Sequence, residues 1–252
     1  MYFGPSISVG RRGVSYGDSD AQAFIAATGL TGTTEVNAIT NLVANLKNYG
    51  LWSKMKAIYP FVSDTYNLLS YTGDYSNAYW TKNSINLTQN AGIAPDGTNT
   101  ANKITETAVS SGHWLKTQSN ITAGQTYTIS GYFKAAERQY AAIIDDDGGL
   151  HTAYFNLLTG TLVSQSGYTS TSITAVGNGW YRCSATRNAS TSLSNYYWAI
   201  SSNGTTYNYL GDGVSGIYTW GFQFEQSSTM STYQPIATTP ANRFVSQFKY
   251  NL

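Results

Sequence analysis

Two histidines, His113 and His151, and a run of three aspartates, Asp145-Asp146-Asp147, are the residues best equipped for proton transfer or metal binding. Neither histidine has a Ser or Cys neighbourhood resembling a nucleophile motif: His113 precedes Trp114 in a strand-like stretch, and His151 follows a turn. Cleaving a glycan needs two carboxylates held a set distance apart across a cleft. Glu106, Glu137 and Glu225 sit in unrelated segments with no paired-carboxylate pattern, so no catalytic residue is assigned and the chain is not expected to be an enzyme. The aspartate run, followed by Gly148-Gly149, could offer calcium clustered oxygens. It departs from a DxDxDG loop, because consecutive residues of an extended chain point to opposite sides. A solvated hairpin tip is the preferred reading, with Asp145, Asp146 and Asp147 kept as metal candidates. No cofactor is expected.

Aromatic side chains offer a different chemistry. The chain has 21 Tyr, 6 Trp and 9 Phe, and rings that stay partly exposed stack on the apolar faces of sugars. Periodicity assigns Trp80, Trp180, Trp220, Phe222 and Phe224 to a core. Rings in loops or at strand edges are the ligand candidates: Trp114, Tyr140, Tyr168 and Tyr207. Each competes with a plainer role in capping the core.

The elements that must position these rings are strands. In TYTISGYFK (126–134), Tyr127, Ile129 and Phe133 alternate with Thr126, Thr128 and Ser130; in GIYTWGFQFEQ (216–226), Tyr218, Trp220, Phe222 and Phe224 read as one face. WYRCSAT (180–186) and YYWAISS (196–202) are of the same kind. Turn signals separate them: PDG at 95–97, DDDGG at 145–149, LTG at 158–160, GNG at 177–179 and GDG at 211–213. Short strands at this spacing predict a mainly β protein, an antiparallel β-sandwich or jelly roll over residues 63–236.

Ahead of it, residues 1–18 read as an extended arm, ordered only against another chain, and 19–62 as a small helical module. Ser19 or Asp20 can cap a first helix, and a second begins near Thr33 or Thr34 with Glu35 in its first turn. Val36, Ile39, Val43 and Leu46 form its apolar stripe. A third piece places Trp52, Met55 and Tyr59 on one face. The stripe looks too small to be buried within one chain, so Val36, Ile39, Val43, Leu46 and Trp52 are expected to dock the protein or form a homo-oligomer, a trimer by analogy with fibres. Residues 237–252 read as a tail.

Charge excludes some partners. Only 11% of the 252 residues are charged and the net charge is +1, which leaves no basic field for a nucleic acid backbone. Residues 1–62 carry five Lys and Arg against three Asp and Glu, and residues 63–236 seven against ten. Cys183 is the single cysteine, so there is no internal disulfide. The opening MYFGPSISVGRRG lacks the apolar run of a secretory leader, and no stretch approaches the roughly 20 apolar residues of a membrane span.

Five ordered segments carry a resemblance: LLSYTGDYSNAYWTK (68–82), APDGTNTANKI (94–104), GQTYTISGYFKAAE (124–137), TAVGNGWYRCSA (174–185) and GDGVSGIYTWGFQFEQSSTMSTYQP (211–235). Together they resemble a domain of phage head-fibre, decoration and tail proteins that is related to carbohydrate-binding-module jelly rolls. Residues 20–62 resemble a short segment found ahead of lectin-like sandwiches in phage structural proteins. The resemblance implies a sandwich fold and a place on the virion, assembled in the host cytoplasm among other virion proteins. It implies no particular ligand; a structural calcium, common in such jelly rolls, stays open without assigned ligands. The expected role is a non-enzymatic virion accessory, with a host-glycan-binding adhesin as the alternative and a fragment of a carbohydrate-active enzyme as the third reading.

Overall fold

Period-two alternation sends one set of side chains from each strand inward, and two sheets meet over that apolar set. The computed structural model describes residues 18–28, 33–54 and 67–237. Nearly all of the expected arm and tail, and Met55 and Tyr59 of the third helical piece, lie outside the described residues. The described helices and the strands belong to two compact units, divided between residues 64 and 65.

In the helical unit, α1 (Ser19–Thr28) and α2 (Thr33–Asn48) are followed by a turn of 3₁₀ helix at Trp52–Lys54. Asp18, rather than Ser19 or Asp20, caps α1: its Oδ1 accepts the amides of Asp20 at 3.0 Å and Ala21 at 3.3 Å. Lys47 of α2 reaches Asp18 at 2.8 Å and Asp20 at 2.6 Å. Ile39 and Val43 are buried against Ala21, with Phe24, Ile25 and Trp52 packed around them. The expectation that the stripe needs a second subunit therefore fails for these two residues. The small Ala21 lets α1 come close enough to cover them. Val36 and Leu46 stay half-buried. Among the described residues no helix is long and apolar enough to cross a membrane.

The second unit is an antiparallel β-sandwich of two six-stranded sheets. Its strands are β1 (Thr81–Asn83), β2 (Ile85–Gly92), β3 (Ala101–Glu106), β4 (Ser110–Gly112), β5 (Trp114–Asn120), β6 (Thr126–Ala135), β7 (Tyr140–Asp146), β8 (Leu150–Asn156), β9 (Thr161–Ser166), β10 (Ser170–Gly177), β11 (Trp180–Asn188), β12 (Leu193–Ser201), β13 (Asn208–Leu210) and β14 (Gly216–Glu225). The first sheet runs β1-β5-β12-β7-β8-β9 and the second β10-β11-β6-β14-β3-β2, while β13 and β4 form a small ribbon. The turns fall where the sequence marks them, with Gly97 and Gly148 among the residues at positive φ.

The core between the sheets is aromatic. Phe222 stacks on Trp198 at 4.4 Å and on Tyr75 at 4.6 Å, and Trp80 meets Tyr75 edge-on at 5.1 Å. Trp80, Phe222 and Phe224 are core residues as expected. Trp180 is buried as expected, in a separate cluster with Ala94 and Ala101 on the outer face of the second sheet, but Trp220 is partly exposed beside it and is not a core residue. For Trp220 the cause is a bulge in β14. Trp220 pairs with Tyr132 and Gln223 with Ser130, so Gly221 and Phe222 together stand opposite the single residue Gly131. Gly221 has φ +61. Before the bulge Ile217 and Thr219 point inward; after it Phe222 and Phe224 do.

Phe222→Ala should therefore cost about 3–5 kcal/mol, the range for deleting a buried ring, whereas Trp220→Ala should cost clearly less. Thermal melts of the two variants check this. A Trp220→Ala protein melting as early as Phe222→Ala defeats the bulge assignment.

Candidate functional site

Small residues decide where the first sheet can hold a ligand. On its outer face a single cross-strand row runs Trp114 (β5), Ala199 (β12), Ala142 (β7) and Tyr154 (β8). The next row runs Lys116, Tyr197, Ile144 and Thr152. Adjacent strands lie roughly 4.8 Å apart, so Trp114 and Tyr154 flank a floor of two alanines about 14 Å from end to end. Trp114, Tyr197 and Tyr207 pack over that floor and are themselves only half-buried. Trp114 and Tyr197 stand edge to face at 5.1 Å. Polar groups border the rings: Lys116 donates to Asn195 Oδ1 at 3.2 Å and sits 5.8 Å over the Tyr197 ring. Burial pushes the Tyr154 phenol up to about 12.

Three of the four ring candidates thus reach the same face. Trp114 and Tyr207 both pack on the cluster that contains the alanine floor. Tyr140 begins β7 on the same side, covered by the backbone of Gly204, whose missing Cβ leaves room for the ring. Tyr168 is corrected: it is buried in the inter-sheet core, because the residue follows the β9 turn and swings inward ahead of β10. Tyr197 and Tyr154 carry no mark as candidates in the reading of the sequence. A signal was there for Tyr197, since the run Tyr196-Tyr197-Trp198 on one strand must send its middle ring outward.

The aspartate run is not a solvated tip. Asp145 and Asp147 are both buried, while Asp146 points to the other face and accepts the Gly148 amide at 3.2 Å. Arg187 of β11 donates through Nε to both oxygens of Asp145, at 2.8 and 2.7 Å, and through Nη1 meets Asp147 at 2.8 Å. The Ser190 amide and hydroxyl both donate to Asp147 Oδ2 at 2.6 Å, and His151 Nε2 lies 3.2 Å from Asp147 Oδ1. Asp145, Asp147 and His151 bring their ligating atoms within 4.8 Å of one another. The set does not fit a hard cation, which wants six to eight oxygens; here the guanidinium already supplies the positive charge. What this cluster does is clamp β7 to β11 across the sandwich.

Elsewhere the buried carboxylate of Glu106 accepts Arg138, the Tyr209 hydroxyl at 2.6 Å and the Asp212 amide at 2.9 Å. Buried His113 sets Nδ1 2.7 Å from the Ser84 carbonyl and Nε2 3.2 Å from that of Tyr209. Both groups pin loops.

No family profile and no curated relative matches the sequence. Among solved structures, the neighbours are carbohydrate-binding modules and a phage tailspike. The enzymatically active domain of bacteriophage CBA120 tailspike protein 4 aligns at 16% identity and TM-score 0.40, covering 64% of this chain and 21% of that one. The CBM22-1 xylan-binding domain from Paenibacillus barcinonensis Xyn10C aligns at 12% identity and TM-score 0.40, covering 68% of this chain and all of that one. TmCBM61, solved with beta-1,4-galactotriose, aligns at 9% and 0.39, covering 65% and 100%. The chain spans about a fifth of the tailspike's length. At these scores the likenesses say nothing about the ligand of this chain.

The clamp has a pH signature. Burial pushes Asp145 up to about 6 against the pull of Arg187, with His151 also lowering it and Asp147 raising it. Burial opposes ionisation of Asp147 too, but the Ser190 hydroxyl and amide and Arg187 hold it well below the usual carboxylate range. A free aspartate titrates near 4. Between pH 4 and 6 the folded chain therefore holds the Asp145 proton more tightly than the unfolded chain. That contribution is complete below pH 4 and is lost as pH rises to 6, up to about 3 kcal/mol; the Asp147 contribution runs the other way and is lost below pH 4. Melting temperatures from pH 4 to 7 should fall less steeply for Asp145→Asn than for the parent. Parallel profiles overturn the assignment.

Proposed function

We propose that the chain is a non-enzymatic glycan-binding β-sandwich carried on a phage particle, its helical unit serving attachment to other virion proteins. The observation that carries the reading is the half-exposed ring set Trp114, Tyr197 and Tyr207 over the Ala142–Ala199 floor, bordered by Lys116 and Asn195. Rings of this kind present flat apolar surface to sugar C–H groups, and the amide and ammonium beside them suit hydroxyls. The buried carboxylates support a role without catalysis. Glu106 is held by Arg138 and Tyr209, and Asp145 and Asp147 by Arg187. Although Asp145 has the raised pKa of a general acid, it is only 3% exposed, between the sheets. The place on a virion is supported by the five ordered segments of phage type, and antibody labelling of particles in micrographs tests it.

Binding is tested on a glycan array with the full chain, followed by calorimetry on any sugar retained. Trp114→Ala and Tyr197→Ala should each weaken that binding at least ten-fold, about 1.4 kcal/mol, while shifting the melt little. An array without a retained sugar, or variants that bind like the parent, sinks the reading.

A further inference from the structure

The outer face of the second sheet carries a different pattern, which neither the core nor the Trp114 face uses. Across β11, β6 and β14 one row runs Arg182, Tyr132, Trp220. The adjoining row runs Trp180, Lys134, Tyr218 and Lys103, extending onto β3. Cations therefore stand beside rings in both rows. The Arg182 guanidinium lies 5.2 Å over Tyr132, and Lys103 Nζ 5.9 Å over Tyr218. Trp220 meets Tyr132 at 5.2 Å and Tyr233 at 4.6 Å, both edge to face, and its Nε1 donates to Thr100 at 3.0 Å.

The charges on this face are unequally matched. Lys103 pairs with Glu137 at 2.8 Å. Arg182 and Lys134 meet no carboxylate among the described residues. Arg182 is only 8% exposed; its Nη2 donates to Ser130 Oγ at 3.3 Å, and its buried Nε has no acceptor. Two other acids lie near. Glu225 is buried and engaged by the Gln223 side chain and the Ser231 amide, and Asp96 acts on the Tyr233 phenol. A guanidinium desolvated without a carboxylate is costly, and stacking on a ring offsets only part of that.

We propose that this face is a second binding site, specific for the carboxylate of an acidic sugar. The carboxylate pairs with Lys134 and draws out the Arg182 guanidinium, whose buried Nε–H has no acceptor within the chain, and the sugar ring lies against Tyr132 and Trp220. Two acceptor oxygens in one plane match a guanidinium edge, and the neighbouring rings select a saccharide over a bare anion. The site is separate from the Trp114 face and stands without it.

Trigalacturonate and neutral galactotriose are the probes, titrated into the full chain by calorimetry and tryptophan fluorescence. Trigalacturonate should bind at least ten-fold tighter than galactotriose. The difference should shrink in 0.5 M salt and vanish in Arg182→Gln. Because Arg182 is buried, Lys134→Gln and Trp220→Ala provide independent variants, each expected to weaken trigalacturonate several-fold. Equal affinity for the two probes overturns the proposal. So does trigalacturonate binding that survives all three substitutions, or that is lost in Trp114→Ala while Arg182→Gln binds like the parent.

Discussion

Phe222 fills the space between the two sheets, and most of the sandwich is arranged around how it gets there. Its ring is sandwiched between Trp198 from the first sheet and Tyr75 from the segment that precedes β1. Close approach depends on Gly131 of β6: a Cβ there would lie 2.7 Å from Phe222 and 3.1 Å from Trp198. Entry depends on Gly221, where one extra residue turns the strand over. Two side chains then hold the backbone of the bulge. Asn67 donates to the Phe222 carbonyl and accepts the Phe224 amide, and the Tyr75 hydroxyl accepts the Phe222 amide. The 67–80 segment is in this sense a plug for the core, which explains why so short a stretch carries Tyr71, Tyr75, Tyr79 and Trp80.

The same bulge determines what the second sheet shows to solvent. If the alternation of β14 ran unbroken, Tyr218 and Trp220 would share the core with Phe222 and Phe224. Because it is interrupted, they join Tyr132 and Arg182 on the outside, and the core is filled instead by the smaller Ile217 and Thr219. The first sheet achieves a ring-bearing outer face by other means. There a directly opposed pair, Ala142 and Ala199, leaves room for rings from β5, β8, β12 and the loop before β13 to settle over the strands. Each sheet is thus buried on one side and aromatic on the other.

Buried charge closes the ends of the sandwich. Arg187 holds Asp145 and Asp147, and Arg138 holds Glu106. Each pairs strands or loops distant in sequence. Removing one partner from such a pair leaves an uncompensated buried charge, so each clamp ties together the segments it joins.

The sequence by itself determined the strands, the turns and the sandwich, because alternation and glycine-marked turns are local properties that survive into the folded chain. It also determined that consecutive aspartates must diverge, as Asp146 does from its neighbours. Tertiary structure alone decided the rest. The face of Trp220 was misjudged because a bulge at one glycine inverts a pattern without altering residue types. Asp145 and Asp147 were misjudged because Arg187, their partner, lies some 40 residues away and no spacing announces it. Tyr168 went to the core and Tyr197 to the surface, and Ile39 and Val43 found cover in Ala21, all through contacts between segments distant from one another. Local preference fixes which way a side chain alternates; only the meeting of separate strands fixes what it meets.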